Sequence, residues 1–377
     1  MKKALPTVHY LSLRNIPAFE KEKRRNPPSG QKQDYIIQTL VDLGYKVNYV
    51  SFSESANNRF YRPKKKKLSE KVTFFLTPNV PGRFRESFAF RWFCHLYAMR
   101  HIKAGDILLV YHIHTNGMRN DLLRALADKR HLTFVYEVEE LFEYAHETVS
   151  QKLVEEELAF LQCPDKYLFC TETLAETVNR RHLPYAICEG YYKYVRANLP
   201  KWNDGKIHCV YGGIIDAVKG GAIRAVHAAE FLPENYVVHI LGFGDVPTLK
   251  KEIEKIAPKT ACEIKFEGLK KGQDYIDFIS KCDIGLCLQT MDQNLTATSF
   301  PSKLVLYLSC GLYPVALGIE QLTKSRLAEN ITFYSEDDPK AIAKAILSVE
   351  LKEENTIHEM MDRADKTFAA DLKALLS

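Results

Sequence analysis

The stretch "VYGGIIDAVKGG", Val210 to Gly221, gives the strongest indication of the fold of this 377-residue chain. An apolar, strand-like run, "KIHCVYGG", reaches two glycines, and a helix-like run, "AIRAVHAAEFL", begins after a lysine and two more glycines. A strand that ends in glycine at the start of a helix is a local pattern of anion binding, because bare N–H groups at a helix N-terminus attract negative charge. We therefore read the stretch as the first strand, turn and helix of an α/β domain.

The same alternation of strand and helix continues along both halves of the chain. Strand-like runs of the first half are "TVHYLSL", "KVNYVSF", "DILLVYH", "LTFVYEV" and "KYLFCT". Those of the second half are "KIHCVYGG", "NYVVHILGFG", "CEIKFEGL", "CDIGLCLQ", "GLYPVAL" and "NITFYS". Each is followed by a run with helical spacing, which predicts parallel sheets covered by helices. The predicted fold class is α/β with two Rossmann-like domains.

The length and one polar cluster predict where the domains divide. A chain of 377 residues is too long for one ordinary core. Proline, asparagine, aspartate and glycine cluster in "RANLPKWNDGK", which is typical of a linker. We predict an N-terminal domain over 1–196, a linker over 197–206, a C-terminal domain over 207–354 and a final helix over 355–377.

Composition excludes several classes of protein. The chain is 46% hydrophobic and 26% charged with a net charge of +5, which is ordinary for a globular protein and too weakly basic to indicate nucleic acid as a partner. It shows no apolar run long enough to span a bilayer and no signal-peptide pattern. Nine scattered cysteines without a CxxC pair predict reduced thiols in a cytoplasmic protein, and neither a disulfide framework nor a metal site.

Glycines recur at the strand ends of the second half. They are Gly212 and Gly213, Gly242 and Gly244, Gly268, and Gly311 after a helix. The first loop is not a Walker A loop, because GxxxxGK followed by Ser or Thr is missing. The second has Pro247 where a dinucleotide fingerprint needs its third glycine. Several bare amides at one crevice predict an anion site, although each glycine could instead simply close a turn.

Four stretches in order resemble the nucleotide-sugar domain of GT-B glycosyltransferases, close to family 4. They are "VYGGIIDAVKGG", "HILGFGD", "KFEGLKKGQDYIDFISKCDIGLCL" and "SFPSKLVLYLSCGLYPVAL". The resemblance covers most of the chain and is strongest over Lys206 to Tyr334. It implies the GT-B fold, with the final helix packing back on the first domain. It also implies retaining transfer of a hexose from a nucleotide-diphosphate sugar, expected to be UDP-linked, to a glycan or lipid-linked glycan, with no cofactor and no metal.

The resemblance also implies a donor site, in which backbone amides and lysines hold the diphosphate. Its residues are Gly212, Gly213, Lys219, Gly220, Gly242, Gly244, Gly268, Leu269, Ser299, Phe300, Pro301, Ser302, Lys303 and Tyr307, with Ser29 and Gly30 from the first domain. Lys303 is the strongest candidate, and its alternative is a solvated lysine at a helix start. The alternative for Tyr307 is a packed core tyrosine.

The first domain is expected to hold the acceptor and the catalytic side chains. His112 and His114 alternate around one residue at a strand end, and Glu137 and Glu139 do the same. Alternation places each pair on one side of an extended segment. A carboxylate here could orient an acceptor hydroxyl or act as a base. The alternative is a pair of surface carboxylates that cap the next helix.

Three positions depart from the family pattern. Thr298 and Leu306 stand where two glutamates spaced E-x7-E are usual, and Ile214 stands where an arginine is usual. These departures keep open a non-catalytic, glycosyltransferase-like subunit that binds a nucleotide or a partner. They disfavour a sugar-nucleotide epimerase, which would need acid and base carboxylates around the sugar.

Two basic stretches complete the sequence. "RFYRPKKKK", Arg59 to Lys67, and the helix-like Arg83 to Lys103 mix cations with aromatic residues. One interpretation is a patch that touches the anionic inner face of a membrane or a phosphate-bearing acceptor. The other is a solvated loop and a helix packed on the sheet.

Overall fold

The structure is a computed structural model, and it describes ten stretches of the chain. They are residues 5–22, 30–57, 59–82, 85–112, 120–141, 150–195, 199–216, 220–288, 300–352 and 355–377. Internal contacts divide the chain into unit 1, Met1–Tyr191 with Phe368–Ser377, and unit 2, Tyr192–Thr367. Each unit is built on one mainly parallel sheet, which confirms the predicted α/β class with two Rossmann-like domains.

Eight of the described strands form the sheet of unit 1. They are β1 (Thr7–Ser12), β2 (Lys46–Ser51), β3 (Lys64–Lys67), β4 (Val72–Leu76), β5 (Ile107–Tyr111), β6 (Thr133–Val138), β7 (Lys166–Phe169) and β8 (Tyr185–Ile187). Their order is β3-β4-β2-β1-β5-β6-β7-β8, and β3 alone among them is antiparallel to its neighbour. Strands such as β5 are buried on both faces, which is why continuous apolar runs identified them in the sequence.

Helices cover this sheet. They are α1 (Gly30–Asp42), α2 (Arg85–Trp92), α3 (Ala98–His101), α4 (Asn120–Arg130), α5 (Gln151–Phe160) and α6 (Glu172–Val178), with a 3-10 turn at Pro17–Glu22 and a π turn at Phe93–Tyr97. The π turn joins α2 to α3, so the second basic stretch is helical from Arg85 to His101. The aromatic side chains of Phe90, Phe93 and Tyr97 are buried in the core of unit 1.

Six of the described strands form the sheet of unit 2. They are β9 (Ile207–Ile215), β10 (Tyr236–Gly244), β11 (Glu263–Gly268), β12 (Ile284–Cys287), β13 (Tyr313–Leu317) and β14 (Thr332–Tyr334). Their order is β11-β10-β9-β12-β13-β14, and the pairs are parallel. The chain proceeds from β9 outward to β11 and then returns to β12, on the other side of β9. The sheet therefore has its topological switch point between β9 and β12, where open α/β sheets bind ligands.

The helices of unit 2 connect these strands. They are α7 (Gly221–Ala229), α8 (Val246–Ile256), α9 (Gly272–Ile279), α10 (Ser302–Ser309), α11 (Glu320–Thr323) and α12 (Pro339–Leu347), with 3-10 turns at Ala257–Lys259 and Ala328–Asn330. The last helix, α13 (Asn355–Leu376), begins in unit 2 and ends in unit 1. In unit 1, Phe368 packs 5.5 Å from the ring of Tyr35, and Lys166 donates hydrogen bonds to the carbonyl groups of Leu375 and Ser377.

Trp202 fixes the segment that precedes β9. Its ring stacks on His239 with centroids 4.9 Å apart and meets Phe278 of α9 edge-on at 5.2 Å. The rings of His208 and His239 are joined by a hydrogen bond of 2.9 Å. The described part of the predicted linker, residues 199–206, therefore packs against the sheet of unit 2.

We predict that Gly244→Ala destabilises unit 2 more than Gly205→Ala. Both glycines have positive φ, +127° and +77°, so both substitutions strain the backbone. A Cβ at Gly244 would lie 2.2 Å from the carbonyl oxygen of Ile215, whereas nothing lies within 4 Å of one at Gly205. We expect this overpacking to cost about 1–3 kcal/mol beyond the shared strain.

The measurement is urea unfolding followed by the fluorescence of Trp202. A Trp92→Phe background isolates the signal, because the chain has two tryptophans and Trp92 belongs to unit 1. Equal losses of stability in the two glycine variants would contradict the close approach of β9 and β10.

Candidate functional site

β9 and β10 stay paired beyond their glycines. The register continues with Gly242 opposite Gly213 and Gly244 opposite Ile215. The prediction that the strand ends at the glycine pair is therefore wrong, since β9 runs on to Ile215. A Cβ at Gly242, where φ is +156°, would lie 1.9 Å from the carbonyl oxygen of Gly213. The close approach of the two backbones accounts for glycine at this position.

Gly212 and Gly213 make room for side chains from α9 and α10. A Cβ at Gly212 would lie 2.2 Å from the hydroxyl oxygen of Tyr275, and one at Gly213 would lie 2.0 Å from Nζ of Lys303. The N–H of Gly212 donates to the hydroxyl of Tyr307 at 3.0 Å. The expectation of a bare amide at Gly212 is therefore wrong, because a protein oxygen already accepts its hydrogen bond.

Lys303 lies at the carboxyl edge of the sheet, near the switch point. Its Nζ is 4.6 Å from the ring centroid of Tyr211 and 3.5 Å from the Tyr211 hydroxyl oxygen. The residue is half-buried in the first turn of α10, which holds no acidic side chain. The positive end of the helix dipole is added to the ammonium charge there, so an anion would be attracted by both. The "VYGG" and "FPSK" stretches do meet, through Gly213 and Lys303.

Other predicted donor residues of unit 2 are spread around this edge. Gly220 has a φ of +57° and precedes α7, and Gly268 has a φ of +71° with open space where a Cβ would be. Leu269 is 49% exposed. Tyr307 is fully buried, so the structure favours the core interpretation for it.

The start of α10 and the first helix of unit 1 hold further candidates. Phe300 is half-buried, Pro301 is buried before the first turn of α10, and Ser302 is exposed. In unit 1, Gly30 begins α1, and its carbonyl accepts a hydrogen bond of 2.8 Å from Arg14. Four candidates lie outside the described residues: Ser29, His114, Lys219 and Ser299.

A cavity of about 480 Å³ opens beside the turn from β9 to α7. Gly220 lines it, together with charged side chains that pair with one another. Arg224 binds the carboxylate of Asp337 at 2.5 and 2.7 Å, and His227 lies 2.8 Å from Glu252. Lys303 is not among its lining residues, so the cavity and the surroundings of Lys303 at the carboxyl edge of the sheet are separate features of unit 2.

Glu137 is a fully buried carboxyl group in unit 1. Its Oε2 accepts a hydrogen bond of 2.5 Å from the hydroxyl of Tyr10, and its Oε1 accepts none from the described residues. Burial raises the pKa of Glu137 well above its ordinary value, and the nearby charge of Glu139 raises it further. The interpretation of Glu137 as a surface carboxylate is therefore wrong, because it is a buried acid that favours its protonated form.

Lys32 of α1 pairs with the second of the two glutamates. Its Nζ lies 2.6 Å from Oε1 of Glu139, which is partly exposed. Burial alone lowers the pKa of Lys32, but Glu139 raises it above its ordinary value overall. Lys32 therefore pairs with Glu139, and the buried Glu137 favours its protonated form.

His112 lies on the other face of the same sheet. Its Nε2 is 2.9 Å from Oε1 of Glu157 in α5, and its ring meets Tyr136 at 5.5 Å. Tyr136 and Glu137 are neighbours in β6 and point to opposite faces. The structure therefore separates His112 from the Glu137–Glu139 pair, and the sequence prediction that grouped them in one catalytic set is not matched by their positions.

Sequence reasoning missed Lys32, Tyr10, Tyr211 and Tyr275. One signal was available: Lys32 stands three and four positions before the buried Tyr35 and Ile36 of α1, on the apolar stripe of that helix. A lysine on such a stripe requires a buried anionic partner. The tyrosines gave no comparable signal, because a tyrosine in an apolar run is ordinary core composition.

The two basic stretches meet in unit 1. Lys65 lies 5.3 Å above the ring of Phe75, and the ring of His101 lies 4.8 Å from the same phenylalanine. The four lysines form the edge strand β3, so the interpretation of this stretch as a solvated loop is wrong. Lys64 faces away from Lys65, pairs with Glu22 and lies over the ring of Phe19.

The helix beside β3 carries both apolar and basic exposed residues. Phe88, Leu96 and Met99 are 45%, 43% and 67% exposed. The exposed cations of the same region are Arg91, Arg100 and Lys103. We call Lys65, Lys67 and these six residues the basic-apolar face. No helix of the described chain is long and apolar enough to cross a membrane, and no group of three or more His, Cys, Asp or Glu side chains there could hold a metal ion.

Comparison of the sequence with protein-family models and with curated proteins gave no match. Solved structures do match. A trehalose-6-phosphate structure from E. coli bound with UDP-2-fluoro glucose matches with a TM-score of 0.62 and 12% identity, over 98% of this chain and 99% of that one. The catalytic domain of starch synthase IV from Arabidopsis thaliana, bound to ADP and acarbose, matches with a TM-score of 0.61 and 11% identity, over 99% of both chains.

HepE from Anabaena, in complex with UDP and glucose, matches with a TM-score of 0.58 and 13% identity, over 97% of this chain and 96% of that one. These likenesses extend over both units. The chain has the GT-B fold.

We predict that Glu137→Gln removes a pH dependence of unit 1 stability. The folded-state pKa of Glu137 is raised above the ordinary value of 4.5, so the native state holds a proton that the unfolded state releases. This stability is complete below the ordinary pKa and is lost as pH rises through the folded-state pKa. As pH rises, the free energy of unfolding of wild type should therefore fall by up to about 1.4 kcal/mol per pH unit relative to the glutamine variant.

The measurement is urea unfolding at steps between about pH 5 and 8, followed by Trp92 fluorescence in a Trp202→Phe background. Glutamine can still accept the hydrogen bond from the Tyr10 hydroxyl, so the fold is retained. A stability difference that stays constant over this range would show that Glu137 titrates normally.

Proposed function

We propose that the chain is a GT-B glycosyltransferase, similar to family 4, that moves a hexose from a UDP-linked donor to a glycan or lipid-linked glycan with retention of configuration. In this reaction, the bond between the sugar C1 and the diphosphate oxygen breaks, and the diphosphate leaves with the electron pair. The acceptor oxygen bonds to C1 and gives up its proton to a base. Unit 2 binds the donor in this proposal, and unit 1 binds the acceptor.

The observation that carries the proposal is the position of Lys303. Its ammonium stands at the carboxyl edge beside Gly213, in the first turn of a helix and near the switch point of the sheet. Negative charge grows on the leaving diphosphate, and a fixed cation at a helix N-terminus stabilises it. The matched HepE structure holds UDP and glucose, which supports a nucleotide-sugar donor for this fold. We propose that the reaction needs no metal ion, because Lys303 and the helix supply positive charge.

On unit 1, Glu139 is the residue that we propose as the base or the acceptor-orienting group. It is partly exposed and is paired with Lys32 at 2.6 Å. A partly exposed carboxylate can accept a proton from a sugar hydroxyl, whereas the buried, protonated Glu137 cannot. His112 lies on the opposite face and is not assigned a role with it.

One observation favours a second candidate, a non-catalytic subunit that binds a nucleotide. Ile214 is 45% exposed where the family pattern has an arginine, so unit 2 lacks that cation at this edge. Leu306 stands for one of the paired glutamates. Incubation with UDP-glucose without acceptor distinguishes the two: slow release of UDP supports the transferase, and binding without turnover supports the subunit.

We predict that Lys303→Ala weakens UDP binding roughly ten- to a hundredfold, since a charge-assisted hydrogen bond contributes about 1.5–3 kcal/mol. Calorimetric titration measures the affinity, and Lys344→Ala, an exposed lysine of α12, is the matched control. Saturating UDP at 100 times Kd should stabilise wild type by about 2.7 kcal/mol. Equal affinities of the two variants would contradict the donor site.

We predict that UDP binding and turnover persist in EDTA. The reason is that Lys303 and the start of α10 already oppose the diphosphate charge. The measurement is the same titration, together with release of UDP from the donor, with chelator and after addition of manganese. Loss of both on chelation, restored by manganese, would overturn the metal-free mechanism.

We further propose that the basic-apolar face binds an anionic membrane surface. Its exposed apolar side chains can enter the lipid interface while its cations meet lipid phosphates. On this proposal, the protein is cytoplasmic and peripheral at the inner face of a membrane.

We predict that Lys65→Gln/Lys67→Gln weakens binding to vesicles with anionic lipid, by about 1 kcal/mol for each lysine. Leu96→Ser/Met99→Ser should also weaken it, through loss of apolar contact. Co-sedimentation at low salt measures binding, with Lys129→Gln/Lys152→Gln as the charge-matched control. Equal binding by all variants, or equal affinity for neutral vesicles, would show that this face is an ordinary charged surface.

A further inference from the structure

Tyr211 lies in the middle of β9, and its side chain is fixed toward the carboxyl edge of the sheet. It is 3% exposed, and its hydroxyl donates to the carbonyl oxygen of Ile214 at 3.2 Å. The ring therefore belongs to the core of unit 2, yet one of its faces is turned to the edge where Lys303 stands.

The Lys303 ammonium lies over that face. The distance of 4.6 Å from Nζ to the ring centroid is within the range of a cation–π interaction, and 3.5 Å separates Nζ from the hydroxyl oxygen. A long lysine side chain has many rotamers, and fixing it costs conformational entropy. A ring face that holds the ammonium before a ligand arrives removes part of that cost from binding.

Two glycines leave the space that this pair occupies. A Cβ at Gly213 would lie 2.0 Å from Nζ of Lys303, 2.8 Å from its Cε and 3.2 Å from the Tyr211 hydroxyl oxygen. A Cβ at Gly221, the first residue of α7, would lie 2.6 Å from Cε2 and 2.8 Å from the hydroxyl oxygen of Tyr211. The glycines of the opening stretch are thus placed on both sides of the tyrosine, one in the strand and one in the helix.

We infer that Tyr211 is a positioning residue, which holds the Lys303 ammonium over its ring at the carboxyl edge of β9, ready for the diphosphate of a nucleotide sugar. This inference rests on the proposed function for the ligand, but the positioning itself belongs to the free protein. Tyr211 acts through Lys303 and need not touch the ligand. If Tyr211 only filled the core, its replacement would lower the stability of unit 2 and leave the position of the Lys303 ammonium unchanged.

The first test is made without ligand. Reductive methylation with ¹³C-formaldehyde labels the lysines, and Lys303→Arg identifies the Lys303 signal by its disappearance. The ring current of Tyr211 should shift this signal away from those of exposed lysines. Tyr211→Phe keeps the ring and should keep the shift, whereas Tyr211→Leu should abolish it. An unshifted Lys303 signal in wild type would overturn the inference.

The second test is UDP affinity by calorimetry. Tyr211→Leu should weaken binding about 2- to 30-fold, the range of a cation–π interaction, and Tyr211→Phe by less. In the Lys303→Ala background, Tyr211→Leu should have no further effect, because residues that act through one another are non-additive. Tyr236→Leu, a buried tyrosine at the other end of the strand pair, is the matched control for loss of a core ring.

The outcomes separate the inference from the proposed function. The role of Tyr211 would be overturned if Tyr211→Leu bound UDP with unchanged affinity while Lys303→Ala bound it weakly. Independent effects of the two substitutions on UDP affinity would overturn it as well. Either result would leave the donor site in place. Equal UDP affinity of wild type and Lys303→Ala, or no UDP binding by either, would overturn the donor site, and the methyl-lysine signal would still decide the positioning. If Tyr211→Leu does not fold, Tyr211→Met, closer in volume and without a ring, takes its place.

Discussion

The backbones of β9 and β10 approach each other closely at the carboxyl edge of unit 2, and the candidate donor site depends on this constraint. Without a Cβ at Gly242, the carbonyl group of Gly213 can lie against it, and the two strands remain paired to their ends. A strand pair prolonged in this way keeps its backbone hydrogen-bonded up to the edge of the sheet. Tyr211 and Lys303 are then held on that edge by packing, so the cation does not depend on a flexible loop for its position.

Unit 1 balances its buried charge in a different way. Lys32 and Glu139 form a close ion pair, and the second carboxyl group, Glu137, remains protonated because there is no further cation for it among the groups that shift its pKa. Two ionised carboxylates beside one lysine would leave an uncompensated charge in the core, which is costly. The arrangement fixes one glutamate as a buried acid and pairs the other with a lysine near the surface, so two carboxyl groups two positions apart have different chemistry.

Periodicity predicted the two sheets, because burial on both faces makes each strand a local apolar run, and helices follow at regular spacing. Lys303 became a candidate through its local "FPSK" context, which carries the family resemblance. The partners of these residues were not predictable. Lys303 meets Tyr211 across 92 positions of sequence, and Tyr10 meets Glu137 across 127. The glycines misled about the end of β9 for the same reason: their cause is a neighbouring strand or side chain brought there by the fold.

The four-lysine strand at the edge of unit 1 affects how copies of the protein meet. Within the described residues, β3 pairs on one side only, so its other side offers backbone groups to any approaching strand. Two such edges at the strand spacing of about 4.8 Å would bring lysine against lysine. At about 0.1 M salt the Debye length is about 10 Å and the repulsion acts, whereas at about 1 M it shrinks to about 3 Å. Dilute buffers therefore keep the chains apart, and concentrated salt exposes this edge to self-association.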